Sequence, residues 1–173
     1  MMLGSLQRKA LIAVCAASAA AALAYGVLRS VAAPDVIPPA AYTLLNGTPA
    51  HTAHLSGRVV LVNFWATSCA VCLQEMPDLM ATHARFKARG FETLAIAMAY
   101  DPPINVVRYT EANALPFQVA IDHDGSLAKR FGNVVATPTS VLINQRGEIV
   151  ERHVGRLDFA ALNTSIERML SAH

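Results

Sequence analysis

Phe64-Trp65-Ala66-Thr67-Ser68-Cys69-Ala70-Val71-Cys72-Leu73-Gln74-Glu75-Met76-Pro77 is the stretch whose reading decides the rest of the chain. Before it runs Val59-Val60-Leu61-Val62, a continuous apolar segment of the kind that forms a fully buried strand. After it, Leu73, Met76, Leu79 and Met80 recur at helical spacing towards Phe86. Cys69 and Cys72 therefore fall at a strand-to-helix junction, with Cys69 near the helix start. Unpaired backbone N–H groups and the helix dipole favour a thiolate at that point, which makes Cys69 the nucleophile candidate. Cys72 lies one turn further in, close enough to close a disulfide, and a CxxC so placed reads as a redox motif.

Other chemistries for the pair have less to stand on. Half of a zinc site would need two more Cys or His ligands. The remaining cysteine, Cys15, lies in an apolar N-terminal run, and no histidines show finger-like spacing. An inert structural disulfide would close so short a loop that it removes little unfolded-state entropy. A peroxidase would need a Pro and a Thr at set distances before a single reactive cysteine, where this chain has Val62 and Ala66.

Working outward, the N-terminus separates from the rest. The apolar run Ala10–Leu28 is preceded by Arg8-Lys9 and followed by Arg29, and is about long enough to span a bilayer. The positive flank places that end in the cytoplasm and sends the remainder across. Residues 1–33 thus read as a signal-anchor or transmembrane segment. A cleavable signal peptide is the alternative, with Ser30-Val31-Ala32 as the small-residue site and a soluble periplasmic product. The 173 residues carry 14 Lys and Arg against 12 Asp and Glu. With Arg8, Lys9 and Arg29 set aside, residues from Pro34 onward hold 11 basic and 12 acidic side chains, which gives no reason to expect a nucleic-acid partner.

Pro34, Pro38 and Pro39 make 34–41 a linker, and 42–173 is the right size for one domain. Tyr42–Leu45 reads as a short strand ending at Asn46-Gly47, followed by a loop holding His51 and His54 as solvated residues. After the CxxC helix, which should end near Gly90, come a strand Thr93–Met98, a helix opened by Pro102-Pro103, and a strand Phe117–Asp122. A short helix Ser126–Phe131, a hairpin Thr139–Asn144/Ile149–Val154 and an amphipathic helix Leu157–Leu170 complete the domain. This is an α/β layout with a sheet covered by helices on both faces.

Val62-Asn63-Phe64-Trp65-Ala66-Thr67, Cys69-Ala70-Val71-Cys72, Pro77 and Thr137-Pro138 together resemble the active site of the thioredoxin superfamily. Within it, the chain is similar to the membrane-anchored extracytoplasmic thiol-disulfide oxidoreductases of the TlpA/ResA/CcmG type. The resemblance implies a thioredoxin-like fold with a central mixed sheet flanked by helices. It also implies that Cys69 attacks and Cys72 resolves, that the Thr137–Pro138 bond is cis, and that Thr137 pairs with a bound substrate segment. Thioredoxins usually carry a buried Asp where Asn63 stands, whereas the TlpA/ResA branch often has an acid at the position of Glu75. Glu75, three residues past Cys72 on the same helix face, can serve as a proton shuttle. Trp65 packs beside the dithiol and shapes its rim, or is simply core, and Pro77 should bend the helix.

The departures are Ser68 in place of a common Trp, the dipeptide Ala70-Val71, and a Gly132–Thr137 segment without the proline signature of cytochrome-maturation members. The implied function is reduction of protein disulfides, in apocytochrome c or in copper-chaperone and oxidase-assembly proteins. Electrons would come from a membrane thiol transporter of the CcdA/DsbD type, and the protein would sit on the periplasmic side of a bacterial inner membrane. No cofactor is needed beyond the Cys69–Cys72 disulfide, and no metal is expected. Two alternatives stay open: a disulfide oxidase or isomerase using the same atoms, and a copper-binding assembly protein using Cys69, Cys72 and His123 or His153.

Overall fold

The structure, a computed structural model, describes residues 4–31 and 35–171, and within the first helix the side chains of residues 9 and 11–25. The chain divides into two units, Met1–Pro34 and Asp35–His173. The first holds one helix, α1 (Ser5–Val31), about 40 Å long at the rise of an α-helix. Leu11, Ile12, Val14 and Leu23 are each exposed on it. Among the described residues no helix is long and apolar enough to cross a membrane. The anchor expected over 10–28 includes residues 10 and 26–28, whose side chains lie outside the described residues.

In the second unit the apolar run forms the middle of the sheet. β3 (Val59–Trp65) is buried along its whole length. It pairs in parallel with β4 (Phe91–Ala97) and antiparallel with β6 (Thr139–Ile143). β5 (Gln118–Ile121) continues the parallel side and β7 (Ile149–Val154) the antiparallel side, giving the order β5-β4-β3-β6-β7. Because side chains alternate along a strand, β3 and β4 feed two cores. Val59, Leu61, Trp65, Phe91, Ala95 and Ala97 face one core, with side chains from α2 (Ala70–Phe86), α3 (Pro103–Ala112) and α5 (Phe159–Ser171). Val60, Val62, Phe64, Leu94 and Ile96 face the other.

That second face differs from the expected helical cover. It is closed by the short α4 (Ser126–Arg130), by Phe131 and by the segment from Ile37 to Leu55. The segment begins as β structure where a linker was expected. Val36 bridges Glu148, Ile37 donates its N–H to the Gly147 carbonyl at 2.8 Å, and Ile149 donates to the Asp35 carbonyl at 2.6 Å. Pro38-Pro39 keep a helix from running through the segment and favour extended backbone, and Ile37 and Ala40 have an apolar surface to lie on. The second unit therefore includes 35–41, the stretch expected to be a linker.

A small hairpin of β1 (Ala41–Thr43) and β2 (Pro49–His51) follows, turning at Gly47, whose φ of 81° suits glycine. His51 is thus the end of a strand, and its Nδ1 accepts the Ala53 N–H at 3.0 Å to cap a 3-10 turn over Thr52–Leu55. Leu45 donates its N–H to the Val119 carbonyl, and Leu44 bridges Ala120. The segment between Asp35 and Leu45 consequently touches both outer strands of the sheet, whose bare N–H and C=O groups would otherwise invite pairing with another chain.

Candidate active site

Strand β3 delivers the chain into the loop Ala66–Ser68, and α2 begins directly after it. Cys69 is the N-cap residue of that helix, and its Sγ accepts the Cys72 N–H at 3.2 Å. A sulfur in that position receives an orphan helix donor and the positive end of the dipole, so negative charge on it is favoured. Cys69 and Cys72 form a disulfide. Cys69 is half-buried, whereas Cys72 is 2% exposed and belongs to the core beside Trp65 and Met76. The first cysteine is thus partly exposed and the second enclosed, an arrangement that distinguishes an attacking from a resolving thiol.

Glu75 lies one turn beyond Cys72 and is 1% exposed. Its Oε1 accepts the Leu157 backbone N–H, while Oε2 is buried with no hydrogen-bond partner. Burial pushes this carboxyl above the usual carboxylate range. The Leu157 N–H, Arg156 and His153 pull in the other direction, and Asp78 adds to the rise. The loop between β7 and α5 covers the group: Arg156 donates to Gln74 Oε1, and His153 Nε2 donates to the Arg156 carbonyl at 2.7 Å. A buried carboxyl with one oxygen satisfied and one free can take up and release a proton.

Trp65 departs from the expected role at the rim. It is fully buried, its ring stands 5.4 Å from that of Tyr109, and its Nε1 has no partner. A side chain at 0% exposure backs the dithiol from the core and cannot touch a substrate from that place. Thr137–Pro138 is a cis peptide bond. Pro138 is buried, and Thr137 is half-buried between it and the exposed Ala136. The register sets Phe64 opposite Thr139, two residues after Thr137, and two residues after Phe64 the Ala66 carbonyl accepts the Cys69 N–H at 3.1 Å. Among the described residues the backbone N–H and C=O of Thr137 have no backbone partner. Pro77 lies inside α2 as anticipated.

Asp101 and Tyr100 at this end were missed from sequence. Asp101 is 2% exposed and accepts both the Thr67 N–H at 2.6 Å and the Thr67 hydroxyl at 2.5 Å, fixing the loop before Cys69. Its neighbour Tyr100 reaches Thr137, hydroxyl to hydroxyl at 3.3 Å. Asn63 donates to Ser140 Oγ at 2.9 Å, so the buried amide is satisfied across the β3–β6 pair. An acid placed just before Pro102-Pro103, at the carboxyl end of a parallel strand, was the one available signal for Asp101. A cleft of about 720 Å³ lies elsewhere, around His83, Lys87, Phe91 and Phe117 at the far end of α2. Among the described residues no three His, Cys, Asp or Glu side chains are grouped to hold a metal ion, and neither His123 nor His153 joins the cysteines in such a group.

With this geometry in view, comparison with known proteins places the chain. A model of the redoxin family matches residues 29–166. The chain is 34% identical over 111 residues to the thiol-disulfide oxidoreductase ResA of Halalkalibacterium halodurans, covering 64% of this chain and 62% of that protein. It is 30% identical over 125 residues to ResA of Geobacillus kaustophilus, covering 72% and 68%. The match thus spans less than two thirds of the length of the first of these relatives. Among solved structures, a putative thioredoxin from Neisseria meningitidis superposes with a TM-score of 0.75 at 36% identity, covering 81% of this chain and 93% of that one. A putative thiol:disulfide interchange protein DsbE from Chlorobium tepidum gives 0.73 at 30% identity, covering 80% and 97%.

Proposed function

The chain belongs to the redoxin family, and on that premise we propose that it is a thiol-disulfide oxidoreductase that reduces disulfides in other proteins. The observation that carries the reading is the asymmetry of the Cys69–Cys72 pair, with a half-buried N-cap sulfur in front of an enclosed one. In the reduced protein the Cys69 thiolate attacks one sulfur of a substrate disulfide, and the other substrate sulfur leaves as a thiolate that takes up a proton. Cys72 then gives its proton to the Glu75 carboxylate and attacks Cys69 Sγ. The S–S bond to the substrate breaks, the second substrate sulfur departs as a thiolate that takes up a proton from water, and Cys69–Cys72 is left as the disulfide. Two electrons pass from the protein to the substrate, and Glu75 returns the proton to solvent.

Thr137, with its free backbone groups beside the CxxC loop, supports pairing with an extended substrate segment in the manner of an added strand. Pro138, buried beneath it, holds that loop in place. A 27-residue helix with exposed apolar side chains supports an N-terminal anchor in a bacterial inner membrane, with the catalytic unit on the periplasmic side. Electrons would then reach the disulfide from a membrane thiol transporter of the CcdA/DsbD type. The oxidised partners would be apocytochrome c or cysteines of copper-delivery and oxidase-assembly proteins.

Equilibration of the full chain in glutathione or dithiothreitol buffers tests the direction of transfer. A reduction potential near or below about −220 mV is the expected result for a reductase. A value near about −120 mV would make the pair a disulfide donor and remove the reductase reading.

A further inference from the structure

Of the Phe, Tyr and Trp residues in 35–171, Tyr100 alone stands exposed, at 60%. Every other such ring is buried or half-buried. An aromatic side chain left in water at the edge of a reactive centre forgoes the burial that placed its counterparts in the core, and aromatic rings are the usual anchors of protein recognition.

The position of the ring is fixed from two sides. Asp101, next in sequence, is buried and accepts the N–H and hydroxyl of Thr67, two residues before Cys69. Asp101 also donates its N–H to the Met98 carbonyl at 2.9 Å, and Met98 donates to Trp65 at 3.0 Å, so the turn carrying Tyr100 is sewn to the end of β3. From the other side the Tyr100 hydroxyl meets Thr137 Oγ1 at 3.3 Å. The ring therefore lies between the loop that ends in Cys69 and the residue whose backbone is free to pair. Two residues before Thr137, Val135 is 81% exposed, and Val71 inside the CxxC is 37% exposed.

We propose that Tyr100 is a specificity-determining residue of this centre. Its ring contacts the side chain next to the substrate cysteine and favours substrates in which that side chain is aromatic or large and apolar. The inference rests on the disulfide-exchange reading above and adds the class of protein segment that reads best on this surface. An edge or offset contact between two rings gains on the order of 1 kcal/mol beyond area burial, which amounts to a discrimination of up to about tenfold.

The test uses the full chain in detergent with two disulfide-bonded peptides that differ only in carrying Phe or Ser beside the attacked cysteine, and oxidised glutathione as a small disulfide. Wild-type protein should prefer the Phe peptide in kcat/KM. Tyr100→Ala should lose about tenfold on that peptide and stay within about twofold on the Ser peptide and on oxidised glutathione. Tyr100→Phe should keep the preference, because the ring remains. The equilibrium of Cys69–Cys72 with glutathione should be the same in all forms. Equal loss on all three substrates would assign Tyr100 to the architecture of the loop and overturn the proposal, as would a wild type with no Phe preference. A wild type that exchanges with glutathione but with neither peptide would refute reduction of protein disulfides itself, a different outcome from loss of the preference alone.

Discussion

Helix α2 buries a titratable side chain near each of its ends, and the two are treated very differently. Glu75, one turn past Cys72, is 1% exposed, and His83, two turns further, is 3% exposed. Burial drives both towards their neutral forms: the Glu75 carboxyl rises and the His83 imidazole falls. At His83, Glu92 acts against the fall and Lys87 with it. His83 has Nδ1 3.2 Å from Thr93 Oγ1 and is boxed by the rings of Phe91 and Phe117. Glu75 keeps one oxygen free under the β7–α5 loop. A buried polar group that is partnered and walled by aromatics holds structure together. One left half-partnered next to a disulfide is available for chemistry.

The comparison can be broken most sharply at its reactive end. Cys69→Ser should abolish disulfide exchange while circular dichroism remains that of the folded chain, and Cys72→Ser should accumulate mixed disulfides with substrate, visible by mass spectrometry. Retained turnover by Cys69→Ser would place the nucleophile elsewhere. Glu75→Gln comes next. General-base groups contribute on the order of a hundredfold, so resolution of the mixed disulfide should slow by about that factor and its pH dependence should shift. A pH–rate profile superimposable on wild type would remove Glu75 from the mechanism.

The same two residues should move stability in opposite directions with pH. A carboxyl whose folded pKa is raised contributes stability below its unfolded pKa, and that contribution fades as pH rises through the folded value. Urea titrations of the reduced forms should therefore show Glu75→Gln gaining on wild type from mildly acidic to neutral pH. An imidazole whose folded pKa is lowered contributes stability above its unfolded pKa, lost as pH falls through the folded value. His83→Leu should flatten that acid-side loss. His83→Ala should cost about 2–4 kcal/mol through the cavity it leaves, with the exchange pH profile unchanged. Coincident pH curves for wild type and His83→Leu would show that the imidazole does not titrate with folding. The smallest effect belongs to Thr67→Val. Losing its hydroxyl bond to buried Asp101 should cost about 1.5–3 kcal/mol, and exchange should slow by less than tenfold, measured by urea titration and single-turnover reduction.

Much of this was readable from the chain because the signals are local. The all-apolar β3, the CxxC at its exit, and glycines at the ends of elements, such as Gly90 with φ of 96°, act within a few residues of themselves. Glu75 was legible for the same reason, since a helix turn puts it on the face of Cys72. What escaped depends on contacts between distant segments. Asp101 means nothing until β3 and β4 lie side by side and bring Thr67 to it. Trp65 looked like a rim residue because alternation along a strand tells which side a residue faces, not how much covers it. The stretch 35–41 read as a linker because its closely spaced prolines interrupt regular structure, yet its partners lie more than a hundred residues later, at Gly147 to Ile149.

That last pairing sets the order in which the molecule can be completed. Asp35–Ile37 closes on the β6–β7 turn, and Leu44 and Leu45 close on β5. Both seals are made by the earliest part of the domain against its later parts, so loop-closure entropy falls on the final assembly step. A ribosome-bound chain can form β3, α2 and β4 in sequence, but the contact of Leu44 and Leu45 waits for β5, and that of Asp35–Ile37 waits for Ile149. Biogenesis, more than the finished fold, is then the stage at which this protein is exposed to strand exchange with its own copies.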